Sequence, residues 1–305
     1  MAVVGQQLVN GLTLGGVYAL IALGYSMVYG VLTMLNFAHG EVFMLGAFAG
    51  WLALQWSSSA GLLSASPGLA LAAALLAAVV ASALAGLLVE RFAYRPLRDA
   101  SRLAPLISAL GVSIFLQNSV MLIFGARAKI YPVGQLLPQE LAITLWGMHL
   151  SLARLLVLVM AVAGLLFLDR IVYRSSLGQA MRAVAQDMGA AELIGLPVNR
   201  IVAMVFFLGS AMAGLGGVLV GIYYTQIGFA MGFSAGMKGF TAAVLGGIGN
   251  LRGAMLGGLV LGIAESAGAA FISPVYKDAI SLVVLVAALL IRPHGILGEE
   301  LPDKA

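Results

Sequence analysis

No lysine or arginine occurs in the first 90 residues of this chain. Hydrophobic residues make up 62% of the whole and charged ones 9%. A water-soluble domain of this length covers its surface with about a quarter charged residues. This chain cannot do so, and its mean hydropathy of +1.05 makes lipid its solvent. The formal charge of +4 therefore carries no indication of nucleic acid. Where each basic residue falls relative to the apolar stretches is the informative quantity. The absence of cysteine excludes disulfides, thiolate metal sites and a cysteine nucleophile.

A span needs about 20 mostly apolar residues. Windows at 8–31, 42–56, 69–89, 103–124, 152–168, 201–224, 254–271 and 279–291 qualify or come close, which predicts an all-α polytopic membrane protein of about eight transmembrane helices. The first window lacks a basic leader and exceeds the short apolar core of a cleavable signal, so it reads as a span. Residues 234–247 are too short and too glycine-interrupted for an ordinary crossing, and read as a broken or re-entrant helix. Arg91, Arg95, Arg98 and Arg102 cluster in one loop, and Arg170, Arg174, Arg182 and Arg200 in another. Both loops (91–102 and 169–200) are expected in the cytoplasm, with the N-terminus outside and the tail 292–305 inside. The connector 125–151, with Pro132 and Pro138, then lies outside, and the chain forms a single transmembrane domain over 1–305. Gly46/Gly50, Gly217/Gly221, Gly253/Gly257 and Gly258/Gly262 have the spacing that lets helix backbones meet.

The loop at 169–200 carries its own helix signals. Leu177, Met181, Val184 and Met188 recur at one-face spacing, while Gln179, Arg182, Gln186 and Asp187 fall elsewhere. Ser176 reads as the N-cap and Gly189 as the stop, followed by a turn over 190–194 that ends at Gly195. Pro197 blocks propagation, and Asn199 is placed to cap the next span. Such a stripe serves either adhesion to headgroups or docking into a partner's groove. A polar face that is mixed, not basic, argues against simple adhesion.

Ionisable groups at membrane depth are costly and become candidate functional residues. His39 and Glu41 sit beside a helix start, where Asn36 as a cap and Glu41 on the positive helix end give a structural account. No nucleophile or set of metal ligands accompanies them, so neither catalysis nor a metal is expected. Glu265, with Ser266 beside it and Lys238 on the short segment as a partner, reads either as a packing pair or as part of a transport path. Asn10, Thr13, Tyr18, Tyr25, Asn36, His39, Glu41, Gln117 and Asn118 complete the set of candidate path or gate residues.

Gly178, Arg182, Ala183 and Asp187, followed by Ala190, Ala191, Gly195 and Asn199, resemble the coupling helices of the branched-chain amino acid ABC permease family. The stretches 10–20 and 30–46 are similar to its H-type subunit, as are 242–250 and the tail that begins Arg292-Pro. The resemblance runs nearly end to end. It implies a permease subunit of a heteromeric importer in the bacterial inner membrane, paired with a second related permease. Two cytoplasmic ATPases would dock on the coupling segment, and a periplasmic binding protein would deliver an amino-acid substrate. Leu177, Gly178, Met181, Arg182, Val184, Asp187, Met188, Ala191 and Gly195 are then the expected ATPase-coupling residues. The chain has no G-x-x-x-x-G-K-[ST] loop. ATP and magnesium are therefore expected on the partners, with no cofactor and no enzymatic activity in this chain. Rival readings are a urea or short-amide permease of the same family, a stand-alone ion-coupled transporter using Glu265, and a membrane anchor. The opening motif favours amino acids over urea. The lack of a second, matched acidic midplane site argues against ion coupling.

Overall fold

The computed structural model describes residues 2–298 apart from 99, 102, 138–141 and 146–147; Arg102, Pro138 and the last seven residues lie outside the description. The architecture is helical, as the apolar windows predict. Thirteen α-helices follow one another among the described residues: α1 (Ala2–Leu32), α2 (His39–Ser59), α3 (Leu62–Ala65), α4 (Pro67–Val89), α5 (Leu103–Phe124), α6 (Val133–Leu136), α7 (Leu152–Arg174), α8 (Ser176–Gln186), α9 (Met188–Leu193), α10 (Val198–Tyr224), α11 (Met231–Gly246), α12 (Leu251–Phe271) and α13 (Lys277–Ile291). Four short strands sit in the connectors. β1 (Lys129–Ile130) pairs antiparallel with β4 (Gln226–Ile227), and β2 (Ala142–Leu145) pairs with β3 (Met148–Ser151).

Seven helical stretches among the described residues are long and apolar enough to cross a membrane. They contain α1, α4, α5, α7, α10, α12 and α13. The expected span at 42–56 falls in α2, which has 21 residues but carries His39, Glu41 and a Trp-Ser-Ser-Ser end, and does not reach that level of apolarity. Helices α4, α10 and α11 enclose α2. A helix sheltered by protein needs less apolar surface than one that faces lipid. The segment expected to be broken is instead continuous over its 16 residues in α11, or roughly 24 Å at 1.5 Å per residue.

The helices gather into two sets. One holds α2, α4 and α10, the other α1, α11 and α12; α1 meets α10 and α2 meets α11 between them. Each of the four spaced glycine pairs lies at a contact. Gly46 and Gly50 on α2 and Gly217 and Gly221 on α10 face one another's helices or the Tyr131 ring. Gly253 and Gly257 face α11, and Gly258 and Gly262 face α1. At the α1–α12 contact a Cβ on Gly15 would lie 2.8 Å from the Cα of Leu259 and 2.9 Å from the carbonyl oxygen of Gly258. Only backbone is there to yield.

The turn between α11 and α12 explains why two distant motifs belong together. Gly247 and Gly249 adopt φ of +106° and +94°, which suits glycine. Asn250 then caps α12, its Oδ1 accepting from Gly253 N at 3.0 Å while its Nδ2 donates to Leu297 O at 2.8 Å. Ile296 N and Leu297 N donate to the carbonyls of Leu245 and Gly246 at 2.9 Å. The tail beginning at Arg292 is thus bound to the glycine-rich turn.

On the opposite end, Tyr131 fills the space that Gly221 leaves and donates through its hydroxyl to Ala47 O at 2.5 Å. Burial pushes its phenol above the ordinary range, so it remains a donor.

Gly15→Val is expected to destabilise the protein by about 1–3 kcal/mol through overpacking. It would lower the thermal denaturation temperature in detergent, while Gly111→Ala, whose Cβ would meet nothing within 4 Å, leaves it unchanged.

Candidate functional site

The segment 169–200 is built on caps. Ser175, not Ser176, caps α8, with its Oγ accepting from Gly178 N at 3.1 Å. Asp187 ends α8 and caps α9, its Oδ1 accepting from Ala190 N at 3.0 Å; Gly189 therefore lies inside a helix and is not a stop. Gly195, at φ +85°, terminates α9 as expected, with Gly195 N and Leu196 N donating to Glu192 O and Ala191 O. Asn199 does not cap α10, which starts at Val198 after Pro197. Its Oδ1 accepts instead from Arg98 Nη1 at 2.7 Å.

The apolar stripe of α8 faces inward. Met181 and Val184 are 3% and 1% exposed, Gly178 is buried, and Leu177 and Met188 pack against the same core. They anchor α8 to α1, α7 and α10 around a crevice of about 80 Å³. A stripe at one-face spacing shows that a helix has an apolar side, not which body covers it. Here the chain itself does. Gly178 sits directly against the carbonyls of Ile171 and Val172, and Arg182 donates to the Val172 carbonyl at the end of α7. Ala191 is buried on α9. What remains outward is an apolar knob: Leu193 is 91% exposed and Ile194 74%.

Arg182 also stands 5.7 Å from the Tyr173 ring centre, with Arg252 at 4.4 Å. Arg252 pairs with Asp169 at 2.9 Å. These contacts tie α8 to the start of α12.

The other end of α12 carries Glu265. It is fully buried, and Tyr18 Oη donates to its Oε2 at 2.6 Å. Ser281 donates to Oε1, where Lys238 Nζ pairs at 2.9 Å. Lys238 also reaches Asp278 on α13 at 2.9 Å, and Ser266 donates to Gln7 Oε1 at 2.8 Å. The expected Glu265–Lys238 partnership is present, and Tyr18 joins it. Asp278 and Ser281 escape a pattern reading, although their spacing of three on one helix puts them on one face. A cleft of about 230 Å³ between α11 and α13 opens beside Lys238.

The remaining candidates are scattered. Asn10 accepts from Gln6, and Thr13 donates to Val9 O within α1. Asn36 is not a cap: Ala38 precedes α2 without a side-chain cap bond, and Asn36 Oδ1 accepts from Tyr94 at 3.2 Å. His39 lies edge-on to Tyr25 at 5.0 Å, and its ring sits where a Cβ on Gly24 would go. Glu41 occupies the first turn of α2 as expected, with Ser113 donating at 3.4 Å. Gln117 and Asn118 sit on α5, and exposed Asn118 donates to Ile114 O.

Sequence reasoning also missed Glu90. It is 1% exposed where α4 passes into a π-turn (Glu90–Tyr94), paired with Arg95 at 2.8 Å and Arg98 at 2.5 Å. Such turns inside helices often mark functional positions. The acid and two basic residues within nine positions were the signal available.

A family model described as the branched-chain amino acid transport system permease component matches residues 7–289, and the chain belongs to that family. The high-affinity branched-chain amino acid transport system permease protein BraD of Pseudomonas aeruginosa is 46% identical, covering 98% of this chain and 97% of that protein. The corresponding LivH of Escherichia coli K12 is 43% identical, with the same coverage. A chain of the solved structure "PsaBC from Streptococcus pneumoniae in complex with Fab" is 15% identical, with a TM-score of 0.45 over 93% of this chain and 91% of that chain. The family and the seven apolar helices make this a multi-pass membrane protein.

Glu90→Ala would leave two arginines without their shared carboxylate. Breaking a buried pair costs about 3–5 kcal/mol, and the lower end is expected because both arginines reach solvent. Thermal denaturation in detergent, with Glu90→Gln as the milder variant, measures it.

Proposed function

We propose that this chain is a permease subunit of an ATP-binding-cassette importer for branched-chain amino acids. The observation that carries this reading is the near-full-length identity to BraD, a permease of a high-affinity branched-chain amino acid system. The chain would pair with a second related permease in the inner membrane, N-terminus outside and C-terminus in the cytoplasm. Two ATPases would hold ATP and magnesium, and a periplasmic binding protein would deliver substrate. No cofactor, nucleic acid or chemistry belongs to this chain. Nothing among these observations favours a urea or amide cargo.

The geometry supports a specific division within the coupling segment. Leu193 and Ile194 engage the ATPase, since they are the large apolar side chains left outward on α8–α9. The buried stripe and the Arg182–Val172 bond make the segment move as one with α7 and α1. The Tyr173–Arg252 stack passes displacement to α12, and so to Glu265 about 20 Å further along at 1.5 Å per residue. Such motion is a hinge or shear step between packed arrangements.

Purification of the chain from its native membrane in mild detergent is expected to recover two ATPases and a related permease. Leu193→Asp with Ile194→Asp should release the ATPases and leave the permease folded. Met181→Asp should instead lower thermal stability, because it places a charge in the bundle. Recovery of this chain alone, catalysing ion-driven uptake, would overturn the importer reading. Glu265→Gln is expected to lower leucine uptake about tenfold or more, the equivalent of at least 1.4 kcal/mol, with assembly intact; unaltered uptake would remove Glu265 from transport.

A further inference from the structure

The cleft between α11 and α13 asks for an explanation beyond helix packing. Glu265 is already satisfied by Tyr18, Ser281 and Lys238. A pair that only fixed helices would need nothing more. Yet a second carboxylate, Asp278, pairs with the same ammonium at 2.9 Å and is itself 78% exposed at the cleft. The wall beside these charges is apolar, formed by Phe233, Met237 and Leu282, with Phe233 62% and Leu282 55% exposed. At about 230 Å³ the space falls below the roughly 300–1,000 Å³ of pockets for drug-sized ligands and suits a small solute.

We propose that this cleft is a transient subsite for a zwitterionic aliphatic amino acid, with Lys238 taking the carboxylate, Asp278 the ammonium, and the Phe233–Met237–Leu282 wall the side chain. The assignment rests on the importer reading above and goes further by naming the residues that read the cargo. Adjacent opposite charges on the protein match adjacent opposite charges on the solute. On entry the Lys238–Asp278 pair is exchanged for two new ion pairs, and the net charge of the site does not change. An isolated carboxylate would instead meet Asp278, and an isolated ammonium would meet Lys238, each with a like charge nearby. A neutral amide cannot replace an ion pair. Glu265 acts here as a positioning residue: fully buried, it holds Lys238 at the cleft while the exposed Asp278 is free to change partner. Exposed contacts of this kind are weak, as a site on a transport route requires.

The chain's lack of cysteine provides the test. In the whole importer reconstituted in nanodiscs, a Leu282→Cys variant carries the one thiol of this subunit, and its alkylation is followed on the separated subunit band. Leucine at about ten times its dissociation constant should slow alkylation about tenfold, by simple occupancy. Isovalerate, which lacks the ammonium, and isoamylamine, which lacks the carboxylate, should not. Adding Asp278→Asn should abolish leucine protection, an effect a purely structural Asp278 would not produce. Absence of leucine protection, or equal protection by isovalerate, overturns the subsite. Labelled-leucine uptake by the unmutated complex is scored separately: uptake without protection rejects the subsite alone, and absence of uptake rejects the importer reading itself.

Discussion

A carboxylate inside a lipid-embedded bundle must be compensated on every side, and Glu265 imposes that requirement on four helices at once. Its partners come from α1 (Tyr18), α11 (Lys238) and α13 (Ser281), while the residue itself sits on α12. Leaving any of these groups unmet in hydrocarbon is costly. The cluster therefore specifies which helices neighbour one another as strongly as the glycines specify how closely they approach. The close approach at Gly15 and Gly258 sets α1, which carries Tyr18, directly against α12, which carries the carboxylate. Packing and polarity act here on the same contact.

The α8–α9 segment is organised differently. Its apolar stripe is used up internally, and its caps come from Ser175 and Asp187. It is consequently stiff before any partner arrives. A segment held in this way has little conformational freedom left to lose. The Arg98–Asn199 bond and the Glu90 clamp extend that stiffness to the end of α4. The Tyr94 hydroxyl carries it to Leu35 and Asn36 in the α1–α2 connection.

Much of this was legible from residue order. Uninterrupted apolar windows forecast the helices, because in lipid the backbone has few other ways to satisfy itself. Glu265 and Lys238 stood out because charge at depth is rare. The misreadings share a cause. Asn36 and Asn199 look like caps locally, but each side chain was drawn to a distant donor, Tyr94 or Arg98, that no short window contains. The α8 stripe was read by its period, and period does not name the covering surface. The short α11 looked broken because glycines lower helix propensity; tertiary contacts with α1, α2 and α12 outweigh that. Asp278 carries no signal in the sequence beyond that of an ordinary first-turn acid on a helix.

Glycines line part of the boundary between the two helix sets. Gly40 meets Gly232 and Gly236 where α2 touches α11, and Gly24 meets Gly209 where α1 touches α10. Where glycines face one another, the backbones approach closely with no side chain of their own between them. Glu41 and His39 of α2 both cross the boundary, Glu41 lying against Gly232 on α11. His39 projects from α2 into the space beside Gly24 and Gly209, and its Nε2 finds no hydrogen-bond partner among the described residues. Seated there, the imidazole fills the gap that the glycines leave, and any sliding of α2 past α1 must displace it.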